Sequence, residues 1–196
     1  AHYMNDIDFT TELLSGDIHT ANQHAAGLET RDEAKTFIYA FLYGAGPAKI
    51  AKILNSNIAK ANSVINKFLD SLPKLNELRE KIFKEANSKQ KILGLDGRYL
   101  HIRHPHAALN TLLQSAGAII CKQWLIEIVK KVDKHNLDAK LVASVHDEYQ
   151  FEVVNNDIPM FCKIVKEAIH ITQDVLNVKC ELDCDYKVGN NWAETH

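Results

Sequence analysis

Over roughly its first ninety residues the chain repeats apolar side chains at the i, i+3, i+4 spacing of helices that bury one face. Beyond that point the period shortens, and strand-like runs appear between two longer helical stretches. The pattern predicts helices over residues 1–14, 17–26, 30–43, 47–54, 58–72 and 73–87. It then predicts a β-hairpin over 91–102 around the Asp96-Gly97 turn, a long helix over 105–136, strands over 141–154, a covering helix over 157–176 and a last strand over 179–188. Several boundaries are written locally. Asp17 is a helix cap, Thr30 with Glu33 is a capping box, and Gly44-Ala45-Gly46-Pro47 ends a helix with glycine and then a residue that cannot continue it. Pro73 stops one helix and starts the next.

On the third helix, Arg31, Lys35, Tyr39 and Tyr43 recur every four residues, each about 40° further round. Two cations and two aromatics therefore share one spiralling stripe, opposite Ala34, Phe37, Ile38, Phe41 and Leu42. A guanidinium and an ammonium one turn apart suit a ligand with clustered anionic oxygens, and an aromatic further along suits an attached ring or sugar. A nucleoside triphosphate has that form. Periodicity by itself leaves an ordinary solvated face equally open.

Composition narrows the choice only a little. The 196 residues, 46% hydrophobic, suffice for one substantial core or for two lobes sharing one, and the helix lengths favour two. A formal charge of −2 gives no global pull toward polyanions, so nucleic-acid binding needs a local patch. Lys89, Lys91, Arg98, Arg103, His104 and His106 form the one clearly basic neighbourhood, suited to a phosphate backbone. His101, His104 and His106 lack a recognised zinc spacing, and the surrounding cations oppose a dication. Cys121, Cys162, Cys180 and Cys184 include only a C-x3-C spacing, which reads as reduced buried thiols in a cytosolic protein. No segment approaches the eighteen or so apolar residues of a membrane span, and the N-terminus lacks a charged region followed by an apolar one, so a soluble, unexported chain is expected. Asp6 and Asp8, at the first helix, read as solvated.

The candidate chemistry lies at residues 141–154. LVASV reads as a buried strand, YQFEVV as an alternating one, and His146-Asp147-Glu148 as the tight turn between them. A carboxylate at a hairpin tip is rigidly held and open on one side, as a hard divalent ion requires. Asp147 is the first candidate ligand, with Glu148 in support. Ser144, His146 and Asp147 do not form a hydrolase triad, because neighbours on a strand or turn point apart. On the long helix Asn110, Gln114 and Gly117 fall opposite Leu109, Leu112, Leu113, Ile119 and Ile120. Uncharged amides suit sequence-blind reading of a duplex minor groove, and glycine permits close approach; an exposed polar face is the alternative.

Four blocks stand in a telling order: Gly16-Asp17-Ile18-His19; R-x3-K-x3-Y-x3-Y-G from Arg31; the run from His106 through Asn110 and Gln114 to Gly117; and Val145-His146-Asp147-Glu148. With the tail from Gly189 to His196, nearly the whole chain resembles the family A, polymerase-I-like DNA polymerases, specifically their phage replicative branch. The resemblance implies that Arg31 and Lys35 hold an incoming triphosphate with His19 nearby. Tyr39 would contact its sugar and Tyr43 would stack near the templating base. It implies DNA contacts at Asn110, Gln114 and His146 beside Arg98 and Arg103, and catalysis by Asp147 and Glu148 with Asp147 on Mg2+. Tyrosine at 39, where relatives with phenylalanine reject them, implies ready acceptance of dideoxynucleotides.

The implied reaction transfers dNMP to a primer 3′-hydroxyl between two cations roughly 3.5–4 Å apart. The family's second aspartate lies on a strand just upstream of the segment that Ala1-His2-Tyr3-Met4 resembles. That strand, the thumb and any exonuclease are expected outside this chain, which is then expected to be inert alone: a truncated form, or the C-terminal chain of a two-polypeptide polymerase. Expected partners are primer–template DNA, a dNTP and the missing N-terminal polymerase part, with no membrane, in the cytoplasm of a bacterial host. The expected fold is α+β: a helical fingers lobe (16–90) inserted into a palm (1–15 and 91–196) with a small antiparallel sheet and flanking long helices. Two other readings stand. A single-subunit RNA polymerase fragment is opposed by Tyr39 and Glu148; a non-catalytic nucleic-acid-binding or assembly subunit is favoured by the open sheet edge that a missing strand would leave.

Overall fold

Caps set the register of the helical half. In the computed structural model, which describes residues 1–195, α1 (Ile7–Ser15) begins at Asp6, whose carboxylate accepts the Phe9 N–H. Residues 1–5 are therefore a turn rather than part of the expected helix, because Asp6 closes it from the N-terminal side. α2 (Ile18–Ala26) begins at Asp17 and ends on Gly27 in left-handed backbone. α3 (Arg31–Leu42) carries the full capping box: the Thr30 hydroxyl accepts the Glu33 N–H, and the Glu33 carboxylate accepts the Thr30 N–H. Thr30→Ala is expected to lower unfolding stability by about 1 kcal/mol, read from the shift of the urea midpoint at constant slope. α4 (Pro47–Ile53), α5 (Ile58–Ser71) and α6 (Pro73–Lys89) follow, two of them with proline in the first turn.

The chain forms two compact units, Ala1–Gln114 and Ser115–His196. In the first, α3 packs on α2 and α4, and α5 on α2, α4 and α6. The core meets at three rings: Phe68 stands edge-on to Phe37 (5.4 Å between centroids, 89°) and to Phe41 (5.6 Å, 79°), with Ile50, Ala61 and Val64 closing around them. A second cluster joins α6 to β1 (Lys91–Leu93), β2 (Tyr99–His101) and the start of α7 (Ala108–Lys134) through Ile82, Ile92, Ile102, Leu109 and Leu112. β1 and β2 are antiparallel, Lys91 opposite His101 and Leu93 opposite Tyr99, with Gly97 at φ +80° in the turn.

In the second unit β3 (Ala139–Val145) pairs antiparallel with β4 (Glu148–Val153), Val145 opposite Glu148, with an irregularity between Leu141 and Ala143. α8 (Ile158–Val175) and the rest of α7 form its core through Ile128, Val132, Ile164, Val165 and Ala168. The Trp124 indole N–H donates to the Val165 carbonyl at 3.1 Å, tying the two helices. A short α9 (Trp192–Thr195) ends the described residues. Helices with two small antiparallel sheets are the α+β class that the pattern predicts.

Three further expectations need correction. β3 is not buried: Val142 is 65% exposed and Leu141 42%, because a two-stranded sheet has no further strand to cover them. Residues 179–188 form no strand despite their strict alternation; Leu182 donates its N–H to Gln173 and Cys184 to Asp183, so side chains satisfy groups that a ladder would otherwise take. Residues Pro105–Lys134, finally, are long and apolar enough to cross a membrane by length and composition, with mean hydropathy 1.3. The helix carries Asn110, Gln114, Lys122 and Gln123, and its residues Leu109, Leu112, Ile128 and Val132 are buried in protein cores.

Candidate functional site

Each unit presents one cluster of chemistry. In the first, the buried Phe37 and Phe41 turn the opposite face of α3 outward, so Arg31, Lys35, Tyr39 and Tyr43 are all exposed. The two tyrosine rings stack, 6.4 Å between centroids and 18° between planes. Gly44 follows at φ +80°, a conformation that glycine adopts freely; a Cβ there would sit 3.9 Å from the His106 carbonyl oxygen, an ordinary contact. The stripe thus ends beside the segment that begins α7, where the His106 ring lies 4.9 Å from Phe83.

Arg31 is not an isolated cation. Its Nε donates to Asp17 Oδ2 at 2.9 Å and its Nη2 to Oδ1 at 3.2 Å, a two-point grip. The guanidinium and the Thr20 hydroxyl hold the Asp17 carboxyl well below the usual carboxylate range, and the Asp17 charge raises Arg31 in turn. Both groups stay ionised at any ordinary pH. His19, one turn into α2, is half-buried, and its Nδ1 is buried without a hydrogen-bond partner. Asp17 enters the sequence reading as a cap and as part of the Gly16–His19 block; its grip on Arg31 rests on a 14-residue separation that no local pattern reveals.

The basic neighbourhood is less basic than its composition suggests. Lys89 pairs with Glu85, Arg98 with Asp96, and the Lys91 ammonium lies 4.3 Å from the Tyr99 ring centre. Arg103 and His104 are exposed. Asn110 is half-buried with its Oδ1 buried and unpartnered, whereas Gln114, one turn on, is exposed.

In the second unit His146 and Asp147 are the two residues of the β3–β4 turn. His146 takes left-handed backbone (φ +55°), uncommon outside glycine though less so for histidine, and Asp147 is exposed at the tip. Glu148 is half-buried and accepts a hydrogen bond from Gln150. α7 passes close enough that the Asp147 charge, after burial, helps push the Cys121 thiol up. Asp147 and Glu148 border a cleft of ≈ 440 Å³ lined also by Trp124, Tyr149, Cys162 and the tail residues Tyr186 and Lys187. The Trp124 and Tyr149 rings are 5.5 Å apart, and Thr195 donates to Gln150 at 3.2 Å, closing the tail on β4. The sequence reading missed this cleft, because its walls come from segments far apart in the chain.

Among the described residues no three His, Cys, Asp or Glu side chains gather as a metal cage. Asp147 is the kind of hard, exposed oxygen donor that Mg2+ accepts, and it can supply one ligand. The four cysteines are free thiols, of which only Cys180 is fully buried.

The family model for DNA polymerase family A matches residues 1–194. The DNA-directed DNA polymerases of Enterobacteria phage T3 and Escherichia phage T7 are 43% and 44% identical to the chain over its whole length. DNA polymerase I of Bacillus subtilis is 26% identical over 98% of it. This chain covers 31% of each of the two phage proteins and 23% of the bacterial one, so it spans about a third of the phage relatives' length or less. The fold is similar to that of the POL domain of Pol1 from M. smegmatis, solved in complex with DNA primer-template and dNTP. The TM-score is 0.79 at 20% identity over 88% of this chain and 34% of that one. With a family model spanning residues 1–194 and phage relatives above 40% identity throughout, the chain belongs to DNA polymerase family A.

Proposed function

We propose that this chain is the fingers and palm part of a template-directed DNA polymerase, with residues 16–90 as fingers and 1–15 and 91–196 as palm. The observation that carries the reading is the outward stripe of α3: a fixed guanidinium, an ammonium one turn on and two stacked tyrosines, in the order phosphate, phosphate, sugar, base. Arg31, Lys35 and His19 hold the triphosphate, Tyr39 meets the sugar, and Tyr43 the templating base. Arg98, Arg103, Asn110, Gln114 and His146 contact DNA, the amides through the minor groove. Arg98 has to be drawn from Asp96 to do so, at small cost for a surface pair.

Asp147 takes Mg2+ and Glu148 supports the turn. Held there, Mg2+ would supply Lewis-acid activation of the primer 3′-hydroxyl and charge neutralisation for the departing pyrophosphate. The chain's own contribution is positional: α3 aligns the α-phosphate, and the β3–β4 turn fixes the backbone that carries Asp147. Since the described residues offer a single exposed carboxylate at this turn, the other ligands are assigned to an N-terminal polymerase part, the third partner beside primer–template DNA and dNTP. Its docking would also cover the exposed side of β3.

Primer extension tests this. The chain alone is expected to incorporate no nucleotide, and the chain joined to the upstream part of such a polymerase to extend a primer with deoxynucleotides as the template directs. Templated synthesis by the chain alone would overturn the shared metal site. Preference for ribonucleotides in the joined enzyme would favour the RNA polymerase reading.

A further inference from the structure

We propose that Asp17 is a positioning residue for nucleotide binding: its carboxylate holds one side of the Arg31 guanidinium so that the remaining donors face the triphosphate. The inference rests on the assignment of α3 as the nucleotide helix. Its ground is the geometry at the start of α2. The Asp17 carboxylate accepts the His19 N–H at 3.1 Å, the Thr20 N–H at 3.4 Å and the Thr20 hydroxyl at 2.7 Å, so the helix start fixes both of its oxygens before Arg31 arrives. A fixed carboxylate then fixes the cation it binds.

Arg31 uses Nε and one Nη2 proton on Asp17. A guanidinium has five N–H donors, so both Nη1 protons and the second Nη2 proton remain, and these form the end-on fork that a phosphate accepts. A free arginine on the first turn of an exposed helix has several rotatable bonds to order when it binds, at an entropic cost. Clamped by Asp17 it has few left, and preorganisation of this kind raises affinity without adding a contact to the ligand. The Asp17–Arg31 contact joins the start of α2 to the first turn of α3, and the unpartnered His19 Nδ1 belongs to that same first turn of α2. Asp17 also carries negative charge toward a polyanion. Repulsion and positioning oppose each other, and their signs separate in an experiment.

The full chain is titrated with inorganic tripolyphosphate and with dATP, as wild type, Asp17→Asn, Arg31→Ala and the double variant. Asparagine caps a helix about as well as aspartate, so α2 is expected to persist, with an unchanged urea midpoint. Asp17→Ser, also a good cap, is the second variant if Asp17→Asn folds poorly. Loss of the clamp is expected to weaken both ligands about 10-fold in Asp17→Asn, with less than about 2-fold further loss when it is added to Arg31→Ala, because the effect runs through the arginine. The Arg31 Nε–H resonance is expected to be sharper and slower to exchange in the wild type than in Asp17→Asn, a difference that loss of a cap alone does not cause. Unchanged or tighter binding in Asp17→Asn would overturn the proposal and mark Asp17 as a competitor for the arginine. If Arg31→Ala itself binds both ligands like wild type, the nucleotide reading of α3 fails, and the positioning role with it.

Discussion

Replacing Asp147 by alanine is expected to slow nucleotide incorporation by a polymerase containing this chain by about 10³-fold or more, a loss of about 4 kcal/mol of transition-state stabilisation. The magnitude follows from what a hairpin-tip carboxylate can do there. In the proposed reading it donates no proton and forms no covalent bond; it would hold a cation where charge develops on the primer oxygen, and nothing else on the β3–β4 turn would replace it. His146 is in left-handed backbone, and Glu148 is half-buried with Gln150 hydrogen-bonded to it. The turn itself should survive, since the exposed Asp147 side chain packs against no core. Primer extension at saturating dNTP, with the fold monitored by circular dichroism, separates lost chemistry from lost structure. If the alanine variant extended primers at the wild-type rate, the chain would be a binding or assembly subunit rather than part of the catalytic centre.

The second large effect concerns stability. Phe37→Ala is expected to destabilise the first unit by about 3–5 kcal/mol, a large share of the 5–15 kcal/mol typical of a domain. Phe37 is fully buried and touches both Phe41 and Phe68, so its removal leaves a hole bounded by two other rings on two helices. That site cannot collapse without moving α3 against α5. The same side chain fixes which face of α3 turns outward, so tripolyphosphate binding should weaken alongside the fall in unfolding midpoint, although Phe37 is on the far side of the helix from any ligand. A midpoint near wild type would mean that the three-ring contact is not what holds the stripe in place.

Most of the helical half was legible because its punctuation is local. The Thr30–Glu33 box, the Asp17 cap, Gly44 and the prolines at 47 and 73 each act within a few residues, and all appear in the structure at those positions. The outward stripe was legible for the same reason: its period is that of the helix carrying it. What depends on distant neighbours was not. Residues 179–188 alternate like a strand, yet alternation cannot supply the partner that makes one, and β3 reads as buried although only one strand pairs with it. Lys89 and Arg98 add to a basic composition that Glu85 and Asp96 partly neutralise in three dimensions. The Asp17–Arg31 grip and the cleft behind Asp147 join segments whose closeness only folding creates.

Single-turnover incorporation at varied dNTP concentration, with the upstream polymerase part present, bears most directly on the division of labour between α3 and the β3–β4 turn. Arg31→Ala is predicted to raise the dNTP concentration for half-maximal rate by about 10- to 100-fold with little change in the maximum. Asp147→Asn is predicted to remove the maximum rate while leaving that concentration nearly unchanged. Wild-type maximal rate in Asp147→Asn, or an unaltered dNTP dependence in Arg31→Ala, would contradict the assignment.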